Sequence, residues 1–291
     1  MLRPSAMEKR VGLVVGHEPQ FVEAFFSRLA LEPGLEGELV SIGGTSERHI
    51  GHHDVIVDRL SDRVPHYRSY LKAEAIAGAR IVNDPFRTSS QDAFFALSLA
   101  ARLGARVPRT MLLPQKSYGP DVVPERELGN LEFPLRWESI AHYVGFPALV
   151  RSARDGHVLG NVQELNGLFS AFDHAGENVL MLQREVRGRA FHALVAGESV
   201  VIVGAGALSP VVVVEASRTA LVVAKGLGYT LCAVHFVAAG DEASVVAAAD
   251  PFPVLDPSKL GDGFATLIDG LVTAVAVVAR QPAVCWSPSP A

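Results

Sequence analysis

Four side chains able to hold a metal ion crowd into residues 49–54, HIGHHD: His49, His52, His53 and Asp54. Imidazole and carboxylate together suit zinc. Neighbouring strand residues face opposite sides, however, so His52 and His53 could not both ligate from a strand beginning here. The segment reads as a polar loop entering the strand DVIVD. A second candidate is VIVGAGALSP, where Gly204 and Gly206 imitate a dinucleotide-binding turn. Such a turn works when a helix begins at its last glycine, so that the pyrophosphate meets the helix N-terminus. Here Ser209 and Pro210 lead into VVVVE, which predicts a strand, and the segment reads as a β-turn. A third group, Asp58, Arg59, His66, Tyr67, Arg68 and Lys72, follows DVIVD. Ligands of α/β folds gather at the C-terminal ends of parallel strands; the competing reading is a solvated helix face. His142, His157, His174 and His192 are scattered singly and read as surface or capping residues, and no Ser/His/Asp arrangement stands out.

The elements that must position such residues are legible in the hydrophobic pattern. The 291 residues, 49% hydrophobic and 20% charged, suffice for two or three packed subdomains. Residues 11–15, 54–58 and 80–82 read as strands alternating with helices at 20–29 and 67–77. Alternation of this kind implies a parallel sheet, hence a small Rossmann-like domain over residues 1–88. A helix at 89–103 with a serine start and Gly104 as its stop follows, then a strand at 110–113 and the long loop 114–134. A helix at 137–143, a strand at 147–150, a helix at 164–172 and a strand at 179–183 complete an α+β lobe over 89–186. Residues 190–196 and 199–203 predict an antiparallel hairpin. Strands at 211–214, 231–237 and 243–248, with helices at 216–227 and 258–280, make a β-rich lobe over 187–281. The tail 282–291 is rich in Pro and Ser and predicts disorder.

Composition narrows the partners. A net charge of −5 with no basic cluster gives no electrostatic footprint for nucleic acid or an anionic membrane, so neither is an expected partner. Two cysteines, Cys232 and Cys285, supply neither a disulfide framework nor a cysteine zinc site, and a cytoplasmic location is expected. VGLVVG is too short for the apolar core of a signal peptide. Residues 264–278 are apolar but carry Asp269 and fall short of a bilayer span, so they read as a buried C-terminal helix.

The run DVIVDRLSDRVPHYRSYLKAEAIAGARIVNDPF, followed by LGARVPRTMLLPQKSY, NLEFPLRWESIAHYVGFPALVR and VLMLQREV, resembles the ATP-grasp superfamily, in particular a bacterial group of stand-alone ATP-grasp proteins. The likeness is specific over residues 54–186. It implies an α+β, ATP-grasp-like fold: an N-terminal Rossmann-like domain, a central lobe and a C-terminal β-rich lobe, with ATP between the last two. Members of the superfamily use ATP and Mg²⁺ to convert a carboxylate to an acyl phosphate, which an amine then attacks. Two lysines, a Gly-rich loop and late acidic or amide ligands neutralise the phosphates. Carried onto this chain, the first lysine position falls at Ala93 and the second at Arg151, whose planar fork places charge differently from an ammonium. The loop is SARDGHVLGN, with only Gly156 and Gly160. The metal positions fall at His235, Ala247 and Asp250. The adenine hinge, Gln183, Arg184, Glu185 and Val186, is largely intact; Lys116 of PQKSY could reach a phosphate from its loop, against the competing and commoner reading of an exposed loop lysine.

Two functions follow from the resemblance. One is a degenerate member without ATP or Mg²⁺, acting as a binding or regulatory partner of an active paralogue or of its own second copy. The alternative is a working ATP-dependent carboxylate–amine ligase in which Arg151, Lys116 and Asp250 substitute for the usual set, with ATP, Mg²⁺ and a small-molecule carboxylate and amine as ligands. Loss of several charge-neutralising contacts at once removes transition-state stabilisation, which favours the first.

Overall fold

Four strands, β1 (Lys9–Val14), β2 (Leu35–Leu39), β3 (Val55–Asp58) and β4 (Arg80–Val82), pair in the order β2-β1-β3-β4, all parallel. β3 is buried along its whole length, as expected of a strand covered on both faces. β2, LEGEL, is mostly exposed, so no apolar alternation betrays it in the sequence. Helices α1 (Pro19–Leu29) and α2 (Pro65–Ile76) each place proline in the first turn, where a missing N–H costs nothing. The structure is a computed structural model describing residues 8–48, 50–204 and 206–282. His49, Cys285 and nearly all of the tail lie outside the described residues.

The predicted helix over 89–103 is two helices, α3 (Pro85–Ser90) and α4 (Ala93–Arg102), separated by an extended Gln91. No serine starts the second. Asp92 caps it, its carboxylate accepting from the Phe95 N–H at 2.6 Å. The next sheet contains β5 (Thr110–Leu113), β6 (Ala148–Ser152), β7 (Val158–Val162) and β8 (Leu180–Arg184), ordered β5-β8-β6-β7 and antiparallel throughout. α5 (Pro124–Glu127) lies in the connection after β5, and α6 (Trp137–Val144) and α7 (Leu165–Asp173) pack on the sheet. Ile140, Val144, Leu168 and Phe172 pack on Val150 and Leu182, and Trp137 meets Phe172 edge-on at 4.9 Å. β7 falls inside the segment read as a Gly-rich loop, which is therefore a short turn between strands.

The last sheet, β9 (Arg189–Ala196), β10 (Ser199–Gly204), β11 (Leu231–Ala239) and β12 (Glu242–Val245), is ordered β10-β9-β11-β12, again antiparallel. The predicted hairpin is present. The predicted strand at 211–214 is not: those residues open α8 (Pro210–Leu227). Four consecutive β-branched valines argue for a strand. Ser209 as N-cap, Pro210 in the first turn, and Ala216, Ala220 and Ala224 on the buried face override them. A helix therefore does follow Gly204 and Gly206, but from an antiparallel edge strand rather than a βαβ unit.

β12 ends three residues earlier than predicted, and the irregular segment after it returns at Asp250 through a single bridge to Ala233. The C-terminal helix is broken at Gly261 (φ +53°) into α9 (Pro257–Leu260) and α10 (Asp262–Ala279). By length and composition α10 could cross a membrane. Its apolar face is occupied here, with Leu267, Leu271, Val272 and Val275 packing beside Leu194 and Leu231, Val11 and Val55 of the first sheet, and Phe21 of α1. The first and last sheets thus share one hydrophobic core. The architecture is α+β.

Candidate functional site

A cleft of about 610 Å³ opens between the N-terminus of α4, the β6–β7 turn, the facing ends of β9 and β11, and the segment after β12. Ala93, Asp155, His157, His192, His235 and Asp250 are among its walls. The antiparallel register sets His192 of β9 directly opposite His235 of β11, so the two rings leave the same sheet face. They meet perpendicularly, with Nδ1 2.6 Å from Nδ1. One nitrogen must donate and the other accept, so the contact shares a single proton.

Burial pushes the His235 pKa below the ordinary imidazole range; His192 and Arg151 push it the same way, and Asp250 opposes. The folded protein therefore keeps His235 neutral to lower pH than the unfolded chain does. The associated stability is full above the unfolded value of about 6.5 and is lost as pH falls toward the folded one. Tm followed from neutral to mildly acid pH should fall more steeply in the parent protein than in His235→Gln. Equal slopes would exclude His235 as the source.

The β6–β7 turn is drawn down onto α4. Ala153 C=O accepts from Ala93 N–H at 2.9 Å, and an added Cβ at Gly156 would come 3.3 Å from the Ala93 Cβ. Arg151 Nη1 donates to Gly156 C=O at 2.8 Å, so this side chain braces its own turn. Arg151 is nonetheless 9% exposed, its Nε is buried without a partner, and among the described residues no carboxylate pairs with it. Burial lowers its pKa from the usual high value. A buried cation without a counter-ion is costly.

The other predicted site residues divide. Asp250 lines the cleft, with Oδ1 accepting from Phe252 N–H at 2.8 Å. Gln183, Arg184, Glu185 and Val186 do not line it. Gln183 is buried, and the N–H groups of Arg184 and Glu185 already donate to Arg109 and Pro147 carbonyls. Lys116 lies away from the cleft, paired with Asp173 at 2.6 Å. Arg59 is an interior brace: it bridges to Glu18 at 2.9 Å, donates to Pro253 C=O at 2.8 Å and stacks over Phe21. Asp58 accepts from the N–H groups of Leu60 and Ser61 beside it. His53 faces Glu38 at 3.1 Å. Cys232 is buried in the same sheet, and burial pushes its thiol up to about 12, too high for a thiolate nucleophile near neutrality. His157 and His192, expected as surface or capping residues, line the cleft, and the fold brings Arg154, Asp155 and Tyr229 there as well, which no local pattern singles out.

Three similar solved structures cover nearly the whole chain. A RimK-domain ATP-grasp protein from Sphaerobacter thermophilus superposes with TM-score 0.61 at 19% identity, over 91% of this chain and 99% of its own. D-alanine–D-alanine ligase from Bacillus anthracis, complexed with ATP, gives 0.63 at 12% identity, over 94% and 99%. The ATP-grasp ligase PsnB, complexed with a precursor peptide and AMPPNP, gives 0.59 at 13% identity, over 96% and 100%. The chain has the ATP-grasp ligase fold. No family model and no curated protein matches the sequence.

ATP and Mg²⁺ are the groups this fold implies. Among the described residues no three His, Cys, Asp or Glu side chains come together to hold a metal ion. Mg²⁺ demands hard oxygens in near-octahedral array, and a wall of His235, Ala247 and Asp250 does not provide them. For the nucleotide, Arg151 is buried without a carboxylate partner among the described residues, but it stands behind the β6–β7 turn and is not among the residues lining the cleft. The cleft wall itself does not favour an anion, since Asp92, Asp155 and Asp250 outnumber Arg154 along it.

Proposed function

We propose that this ATP-grasp-fold protein is a degenerate, non-ligating member whose cleft binds rather than activates, and that it serves as a binding or regulatory partner of an active paralogue or of a second copy of itself. One observation carries the reading: the cleft wall contains no lysine, and Ala93, Ala247 and His235, the positions to which the resemblance assigns a lysine and two metal ligands, all lie on it. The pinning of the β6–β7 turn onto Ala93 supports it, because that turn would have to lift for a phosphate to pass beneath. The low cysteine count fits a cytoplasmic location.

Arg151 supports a second reading, an active ATP-dependent carboxylate–amine ligase, because a buried arginine without a carboxylate is a standing attraction for an anion. Thermal unfolding with and without millimolar ATP·Mg²⁺ separates the two. A ligand at a hundred times its Kd stabilises by about 2.7 kcal/mol, a shift of several degrees. The degenerate reading expects none. Stabilisation that disappears in Arg151→Ala, accompanied by ADP release in the presence of carboxylates and amines, would establish the ligase.

A further inference from the structure

We propose that His192 and His235 form a two-histidine site for a divalent transition-metal ion of the zinc and copper class, open toward the cleft. The site goes beyond the function proposed above and does not depend on whether a nucleotide binds. Both rings project from paired positions of two adjacent strands near the middle of a sheet, so the spacing of their Cα atoms is fixed by the backbone ladder. Their Nδ1 atoms point at each other at 2.6 Å, and among the described residues neither ring hydrogen-bonds to anything else.

A metal bound at about 2.0–2.1 Å to each nitrogen in tetrahedral array needs the two roughly 3.4 Å apart. Opening the pair by less than 1 Å or so through side-chain torsion meets that, and the ion then replaces the shared proton. Imidazole selects zinc, copper and nickel over magnesium, whose preference is oxygen. Asp250 lines the cleft beside both histidines and borders the smaller cavity on their other side as well, so a carboxylate faces the same space. Two protein ligands are one fewer than a catalytic zinc site supplies, so the ion keeps at least two open positions and binds more weakly than at such a site. Those positions would go to water or to an oxygen donor of whatever small molecule enters the cleft.

Equilibrium dialysis of the full chain, stripped with a chelator, against Cu²⁺, Zn²⁺ or Mg²⁺ salts alone tests the proposal. The expected result is one saturable equivalent of Cu²⁺ and of Zn²⁺, copper tighter, and none of Mg²⁺. The bound Cu²⁺ should show nitrogen hyperfine structure from two imidazoles in its electron paramagnetic resonance spectrum. His192→Ala and His235→Ala should each weaken binding by more than roughly tenfold, the lower range seen for loss of an outer-shell partner. His157→Ala, on the same cleft, should leave it unchanged. His192→Asn and His235→Asn, which keep a polar side chain, serve if an alanine variant does not fold. Absence of a saturable equivalent, or its survival at unchanged affinity in variants lacking both histidines, overturns the site, as does a spectrum without nitrogen couplings.

Discussion

Phe236→Ala is expected to lower the unfolding free energy by about 4 kcal/mol, within the range for deleting a buried aromatic ring. The ring is 1% exposed and lies in β11, flanked by β9 and β12, where the backbone cannot collapse into the vacated space. It stacks on Phe191 at 5.2 Å with 11° between planes, and the pair shares a cluster with Val212 and Ala216 of α8 and Ala93 and Leu97 of α4. An aromatic pair adds about 0.5–1.5 kcal/mol beyond its area. Phe236 directly follows His235, and the Phe191–Phe236 pair is the opposite-face counterpart of His192–His235 in the same register. Urea unfolding of Phe236→Ala and Phe236→Leu checks the claim. Leucine should recover more than half of the loss because it refills most of the volume, and a loss below about 1.5 kcal/mol for alanine would mean that the ring is not packed as described.

Local patterns made much of this fold legible. The parallel N-terminal sheet is visible because β3 is an unbroken apolar run between turn signals, and the β9–β10 hairpin because AGE separates two apolar runs. The sequence concealed the elements in which local preference and tertiary packing disagree. The valines of α8 favour a strand, and only the burial of Ala216, Ala220 and Ala224 against the sheet makes them helical. β2 was invisible because an exposed edge strand need not be apolar. The candidate site was harder still. His192 lies 43 residues from His235, and their contact depends on the register of two non-consecutive strands. No local spacing encodes that register, so His192 looked like one more isolated histidine. The end of GFPALV draws attention to Arg151, but the brace it makes on Gly156 depends on a turn conformation that residue types alone do not specify.

Asn83→Ala is expected to cost about 3 kcal/mol, more than most core truncations of equal size, because its side chain satisfies backbone groups that have no other partner nearby. Asn83 is 3% exposed at the end of β4. Its Nδ2 donates to Leu231 C=O at 2.7 Å and Pro251 C=O at 3.1 Å, while Oδ1 accepts from Thr230 N–H at 2.7 Å and Leu231 N–H at 3.2 Å. A single amide therefore ties the first sheet to the start of β11 and to the segment carrying Asp250. Alanine orphans four backbone groups, each worth up to about 1–3 kcal/mol if it stays dry, with partial rehydration at Thr230 and Pro251 reducing the sum. Asn83→Asp is the sharper variant. An ionised aspartate still accepts from the two N–H groups but turns an oxygen toward two carbonyls, and burial raises its pKa. A carboxyl whose folded pKa is raised is best tolerated below its unfolded value of about 3.9, and the fold loses stability as pH rises through the folded value. The deficit of Asn83→Asp relative to the parent should accordingly grow from pH 4 to pH 7, whereas that of Asn83→Ala should stay flat; a flat deficit for both would place the amide in a wetter setting than the hydrogen bonds indicate. Because Pro251 follows Asp250 directly, loosening this tie should also widen the cleft beside His235, which hydrogen exchange at residues 249–252 would register as faster opening.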